Sequence, residues 1–275
     1  MLKNILIHLD ASKQNDSRLQ TAIALGKRHG AHLTGLYVVT HPEIPTYIEA
    51  QIGGDVINAQ IEAATQEGRE VLERFEKQTA AEGLETESRL VEGTVVDCLT
   101  THGRYFDLLV VGQYDPDDSG LHSVEDMPDR LIMSAGRPVL VVPYAGTFPD
   151  IGDRVIVSWD ASRQATRSVN DAMAILEASQ KVDVLSINPA GNDHGDNAGA
   201  DIALQLARHG VNAEAKQITS PDVDAADMLL SRAADSSADM IVMGAYGHAR
   251  WREIALGGFT RHMLAHMTVP VLMSN

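Results

Sequence analysis

The chain has 275 residues, 44% of them apolar and 4% aromatic, with one cysteine (Cys98) and a formal net charge of −16. That length suits one or two domains with a sizeable core, the single cysteine excludes an intramolecular disulfide framework and fits a reducing compartment, and the acidic balance argues against a nucleic-acid-binding surface. No apolar run approaches the ~18 residues of a membrane span, and the opening "MLKNILIHLDASK" lacks the layout of a signal peptide, so a cytoplasmic location is expected.

In chain order, a strand at 3–10 leads into a helix from Ser12 to His29, and "AHLTGLYVV" (31–39) forms the second strand. A long segment follows, with a helix over Gly54–Ala81. A strand at 86–92, a short helix near 94–104, the strand 107–112, a helix around 128–136 and the strand 138–143 complete this series. The pattern then starts again: strand 153–159, helix 163–179, strand 182–188, helix 198–209, strand 212–219, helix 222–236, strand 239–244, a loop, helix 258–267 and strand 270–274. Runs such as "LLVVG" and "MIVMG" are continuously apolar, which marks parallel strands covered on both faces. Alternating strands and helices with right-handed crossovers predict a doubly wound α/β sandwich.

The two series are copies of one unit. "KNILIHLDAS" (3–12) matches "DRVIVSWDAS" (153–162), "DLLVVG" (107–112) matches "DMIVMG" (239–244), and "RPVLVVP" (137–143) matches "VPVLMSN" (269–275). Gly112 to Pro138 and Gly244 to Pro270 span the same interval. Two tandem domains are expected, at 1–146 and 151–275, joined by a Pro/Gly-containing link. Residues 1–150 carry a net charge of −11 and the remainder −5, so an anion site is expected in the second copy.

Ligands of open parallel sheets bind outside the carboxyl ends of the strands. In copy two, Asp160 closes the first strand and Gly244 closes the fourth. The helix at 258 begins just after a loop containing Gly244, Gly247, Gly257, Gly258 and three arginines, Arg250, Arg252 and Arg261 nearby. Free amides at a helix start attract anions, and glycines permit close approach of the backbone. Asp160 is placed to hold a ribose hydroxyl or a base edge, and Ser162 to cap the next helix. Bland alternatives stand beside these. Gly244 equally suits a tight turn, Asp160 and Ser162 a capping turn, and the arginines a solvated face. His248, His262 and His266 read as surface or packing residues, and Cys98 as a core or boundary residue. The sequence contains no P-loop, no G-x-G-x-x-G after the first strand, no G-x-S-x-G and no H-E-x-x-H.

The spacing Gly244-x2-Gly247-x9-Gly257-Gly258, followed by Phe259-Thr260, resembles the nucleotide-binding motif of the universal stress protein family, G-x2-G-x9-G-[S/T]. The resemblance covers nearly the whole chain as two tandem copies. One position departs: Gly258 stands where the family often has Ser or Thr, which removes a hydroxyl but keeps the backbone N–H. The resemblance implies a Rossmann-like five-stranded parallel sheet of order 3-2-1-4-5 in each copy, with ATP, alone or with Mg²⁺, at the strand ends of copy two. The implied nucleotide-binding set is Asp160, Ala161, Ser162, Ile187, Met243, Gly244, Gly247, His248, Gly257, Gly258, Phe259 and Thr260. Within it, Asp160 lies near base and ribose, and Ile187 is the adenine-contacting position. Arg250 lies inside the loop, within reach of phosphate. The family often dimerises through its last strand. Here the two copies can pair with each other, with a further homodimer left open.

Copy one aligns directly through the equal spacing. Gly247 corresponds to Asp115, Gly257 to Glu125, Gly258 to Asp126 and Thr260 to Pro128, and the window 115–129 holds six acids and no Lys or Arg. Carboxylates repel phosphates, and Pro128 removes an N–H. Copy one is therefore expected to bind no ATP in this mode, although Asp10 and Val38 match the base-side positions. The leading expectation is a nucleotide-responsive stress or signalling protein with an unidentified protein partner and no catalytic residues. A slow ATPase or other adenine-nucleotide enzyme, and a structural pseudo-dimer without nucleotide, are the alternatives. No metal ligands are assigned.

Overall fold

The computed structural model describes residues 1–40, 54–118, 125–188, 199–220, 222–247 and 258–275. The first half runs β1 (Asn4–Leu9), α1 (Asn15–His29), β2 (His32–Val39), α2 (Gly54–Ala81), β3 (Thr86–Glu92), α3 (Val95–Gly103), β4 (Leu108–Gly112), α4 (Met127–Ser134) and β5 (Val139–Val142). The second runs β6 (Arg154–Ser158), α5 (Arg163–Ala178), β7 (Lys181–Ile187), α6 (Ala200–Arg208), β8 (Ala213–Ile218), α7 (Ala225–Asp235), β9 (Met240–Gly244), α8 (Gly258–His266) and β10 (Val271–Ser274).

Each half has the expected strand order. The two do not remain separate sandwiches: they fuse into one ten-stranded sheet, β3-β2-β1-β4-β5-β10-β9-β6-β7-β8. Every pairing inside a half is parallel, whereas β5 and β10 run antiparallel, with Val141 opposite Val271 and Val139 opposite Met273. Pairing the two last strands removes what would otherwise be two apolar sheet edges. It also points the strand C-terminal ends of the two halves in opposite directions, so the two candidate crevices lie at opposite ends of the sheet.

Two buried layers cover the sheet, one on each face, and both cross the junction. Leu9, Leu108 and Leu140 share one layer with Val155, Val242 and Leu272. Leu109 and Val141 share the other with Ile241, Val271 and Met273. The continuous apolar strand runs thus bury side chains on both faces. Further polar ties join the halves. Gln113 Nε2 donates to Leu264 O at 2.8 Å. Arg28 of α1 donates to Ile151 O at 3.1 Å and to Asp153 Oδ1 at 2.6 Å, and also to Ala178 O.

One boundary shifts for a chemical reason. The first helix was expected from Ser12 but begins at Asn15. Ser12 instead turns back onto Asp10, its N and Oγ donating to Asp10 Oδ1 at 3.0 and 2.5 Å. The matching Ser162 does cap its helix.

Candidate nucleotide site at the strand ends of the second half

At the upper end of the second half, Ser158 pairs in register with Leu185 and with Met243, which brings the ends of β6, β7 and β9 side by side. Past β6 the chain makes a tight turn. Ala161 is left-handed (φ 57). Asp160 Oδ1 accepts from Ser162 N at 2.9 Å, and Ser162 Oγ accepts from Ala165 N at 3.1 Å, capping α5. This is the local hydrogen bonding that Asp and Ser offer at helix starts. It leaves Asp160 on the exposed rim.

The glycines divide by role. A Cβ on Gly244 would stand 2.5 Å from the backbone of Gln164 and Ala165, so glycine is what lets the end of β9 approach α5. Packing alone therefore accounts for Gly244. Gly247 lies over the same turn, where a Cβ would come within 3.3 Å of Ser162 Oγ and 3.2 Å of Gln164 Oε1. Gly258 opens α8, and among the described residues a Cβ there would meet nothing within 4 Å. At this point the first-turn amides lack intrahelical partners.

Of the remaining expected residues, Ile187 is half-buried at the end of β7, and Phe259 is half-buried in the first turn of α8. Met243 is 1% exposed, so its side chain belongs to the core and only its backbone borders the rim. Thr260 is also buried, and its Oγ1 accepts from Tyr246 N at 3.2 Å. That hydroxyl fastens the loop to α8. His248, Arg250 and Gly257 lie outside the described residues.

Two partners of this loop were not apparent in the sequence. Tyr246, left-handed at φ 56, donates its hydroxyl to Asp129 Oδ1 on α4 of the first half. Arg261 Nε stands 3.9 Å from the same carboxylate oxygen. Burial first, and then Asp129, push the Tyr246 phenol above its ordinary pKa, so it stays a neutral donor. Asp224, Asp227 and His262 bring ligand atoms within 4.8 Å of one another, with His262 Nε2 2.7 Å from Asp227 Oδ1. No spacing in the sequence joins them, because they belong to the α7 and α8 regions.

The matching crevice of the first half is filled from within. Arg18, 2% exposed, places Nη2 2.8 Å from Asp10 Oδ1 and 3.0 Å from Asn15 Oδ1. A Cβ on Gly112 would stand 2.9 Å from Arg18 Nη1, so the guanidinium lies between the ends of β1 and β4. Gln14 Nε2 donates to Asp115. The space left among these residues is about 30 Å³, room for about two waters. Burial alone would raise the Asp10 carboxyl; the charges of Arg18 and His8 and the Ser12 hydrogen bond outweigh it and hold the group well below the usual carboxylate range. Val38 is 7% exposed and belongs to the core. Counting from the aligned pair Asp10 and Asp160, Arg18 corresponds to Ser168, whose hydroxyl turns back to Ala165 O at 2.9 Å.

Fold and strand-end sites together define a protein made of two copies of one parallel α/β unit, fused edge to edge. The sequence profile of the universal stress protein family matches residues 1–143 and again 153–275, and the chain belongs to that family. It is 22% identical to the universal stress protein Slr1230 of Synechocystis sp. (strain ATCC 27184 / PCC 6803 / Kazusa), over 98% of this chain and 99% of that protein. Its fold matches the crystal structure of a universal stress protein from Archaeoglobus fulgidus DSM 4304 with a TM-score of 0.78 at 17% identity, over 99% of this chain and 96% of the other. Another universal stress protein, solved in complex with cAMP, matches 52% of this chain and 99% of its own length, at 19% identity and a TM-score of 0.39. Among the described residues, no helix is long and apolar enough to cross a membrane.

Proposed function

We propose that the second half binds one ATP per chain at its strand-end crevice, and that the protein acts as a nucleotide-responsive stress or signalling protein. The observation that carries this reading is the difference between the two crevices. In the first half a buried guanidinium occupies the space between strand ends, and Asp126 stands at the start of α4. In the second half a small Ser168 replaces Arg18, and among the described residues nothing crowds Gly258 at the start of α8. An adenine nucleotide fits that donor set. Asp160 on the rim accepts from a ribose hydroxyl, Ile187 packs against the base, and the amides of the first turn of α8 donate to phosphate. A companion Mg²⁺ would be held chiefly by the phosphates. The first half serves as scaffold and as the support of the Tyr246 loop.

Calorimetric titration with Mg-ATP tests the reading. One nucleotide per chain is expected. Gly258→Asp, which copies the charge of Asp126 into a position with room for a side chain, should weaken binding at least tenfold while the melting temperature holds. Two nucleotides per chain, no binding, or a Gly258→Asp variant that binds normally would each refute it.

A further inference from the structure

A second cavity, of about 280 Å³, opens at the junction of the two halves. Because β5 and β10 run antiparallel, the lower end of the first half meets the upper end of the second. The C-terminal end of α4 there faces the first turns of α5. Ile132, Met133, Arg137, Arg163, Arg167 and Asn275 supply walls of the cavity.

Three arginines thus line one small space in a chain whose net charge is −16. Two of them have local work. Arg137 donates from Nε and Nη2 to Arg104 O at 3.2 and 2.9 Å. Arg167 donates from Nη2 to Gly136 O at 2.9 Å and lies 3.5 Å from Asp171. These contacts satisfy backbone carbonyls, including one just past the end of α4, as basic residues near helix ends commonly do. They do not account for Arg163, which is exposed and pairs with no carboxylate among the described residues. Asp171 is the one described carboxylate within ion-pair distance of any of the three. Three cations with one counter-ion leave a local excess of about two positive charges, whose mutual repulsion an anion relieves. Guanidinium forks match phosphate and carboxylate geometry. Ile132 and the 56%-exposed Met133 add an apolar wall suited to a carbon skeleton.

We propose that this junction cavity binds a small organic polyanion carrying phosphate or clustered carboxylate groups, with Arg163 as its principal contact and Arg137 and Arg167 flanking it. The site is separate from the nucleotide crevice and does not depend on it. The two share α5: Ser162 caps this helix on the crevice side, and Arg163 is the next residue. An anion here bridges the two halves and engages the helix that also carries the nucleotide turn.

The test is calorimetry on the full chain at low salt, with pyrophosphate, glycerol 3-phosphate and citrate as separate probes. The unaltered protein is compared with Arg163→Gln, Arg163→Lys and Gly258→Asp. At least one probe should bind at one per chain and weaken as KCl is raised. Which probes bind tells phosphate from carboxylate recognition. Arg163→Gln should weaken binding at least tenfold and Arg163→Lys less, both with unchanged melting temperature. Gly258→Asp, which disables the nucleotide crevice, should leave it intact. Absence of binding by all three probes overturns the proposal, as does indifference to Arg163→Gln. Loss in Gly258→Asp also overturns it, since that places the anion at α8.

Discussion

Tyr246, inside the glycine loop of the second half, hydrogen-bonds through its hydroxyl to Asp129 on α4 of the first half. The same short segment is fixed at its backbone, where Tyr246 N donates to Thr260 Oγ1 at 3.2 Å. A tyrosine at φ 56 occupies a region that L residues adopt reluctantly. Contacts from both sides therefore set its conformation, and one of them comes from the other half of the molecule.

Loss of this contact should reach the nucleotide. Tyr246→Phe and Asp129→Ala should each weaken ATP binding about three- to tenfold, about 1 kcal/mol for the net loss of one hydrogen bond. The double variant should be no worse than either single one, because both remove the same bond. Additive losses in a calorimetric double-mutant cycle would show that the residues act independently.

The two glycines of the strand-end site make opposite predictions. Gly244→Ala forces a methyl to within 2.5 Å of the α5 backbone and should destabilise the protein by about 1–3 kcal/mol, read from denaturant midpoints. Gly258→Ser meets no atom of the described residues within 4 Å. It should leave stability unchanged and raise ATP affinity several-fold, by returning a hydroxyl to the start of α8. If Gly258→Ser binds ATP no better, phosphate does not sit over that first turn.

Much of this architecture was legible in the chain. Continuous apolar runs reveal buried parallel strands because both of their faces are covered. The repeated Asp-Ala-Ser segment, glycine-ended apolar strand and Pro-Val segment reveal two copies. The pairing of β5 with β10 was an option that the family resemblance implied, and the structure shows it covering the apolar runs "VLVV" and "VLMS". Long-range placement was not legible. Arg18 sits on a helix where a lone arginine normally reads as solvated, yet it is buried against Asp10. Asp129 and Tyr246 are 117 positions apart, and only the antiparallel junction brings them together. In the sequence Gly244 suits a tight turn and a phosphate loop equally; the 2.5 Å that separates its Cβ position from the α5 backbone is visible only in the fold.

The Asp10–Arg18 pair should behave as a buried ion pair. Arg18→Met strands a carboxylate that is 7% exposed and should cost about 3–5 kcal/mol. Adding Asp10→Asn should restore most of that loss, since removing both charges is far less costly than removing one. Emptying the crevice in this way should still leave the first half without ATP, because Asp115 and Asp126 remain. A second bound nucleotide in the double variant would show that Arg18 alone blocks the site.

Acid sensitivity should begin with His29, at the end of α1. It is 1% exposed, and among the described residues its Nε2 has no hydrogen-bond partner. Burial, then the charges of Arg28 and the chain N-terminus, lower its pKa from 6.5 to about 4. Between those values the unfolded chain takes up a proton that the folded one refuses. The stabilising contribution is therefore complete above pH 6.5 and declines as pH falls toward 4. At about 1.4 kcal/mol per pKa unit the loss is on the order of 3 kcal/mol. Asp10 acts in a lower window: its folded pKa is depressed below the ordinary 3.8, so its contribution holds above that value and is lost only in stronger acid. Denaturant midpoints of the unaltered protein and of His29→Gln, measured from pH 7.5 to 4.5, separate the two groups. The gap between the curves should change steadily below pH 6.5, with the unaltered protein losing more stability than the variant. Parallel curves across that range would mean that His29 takes its proton as readily in the folded protein as in the unfolded chain.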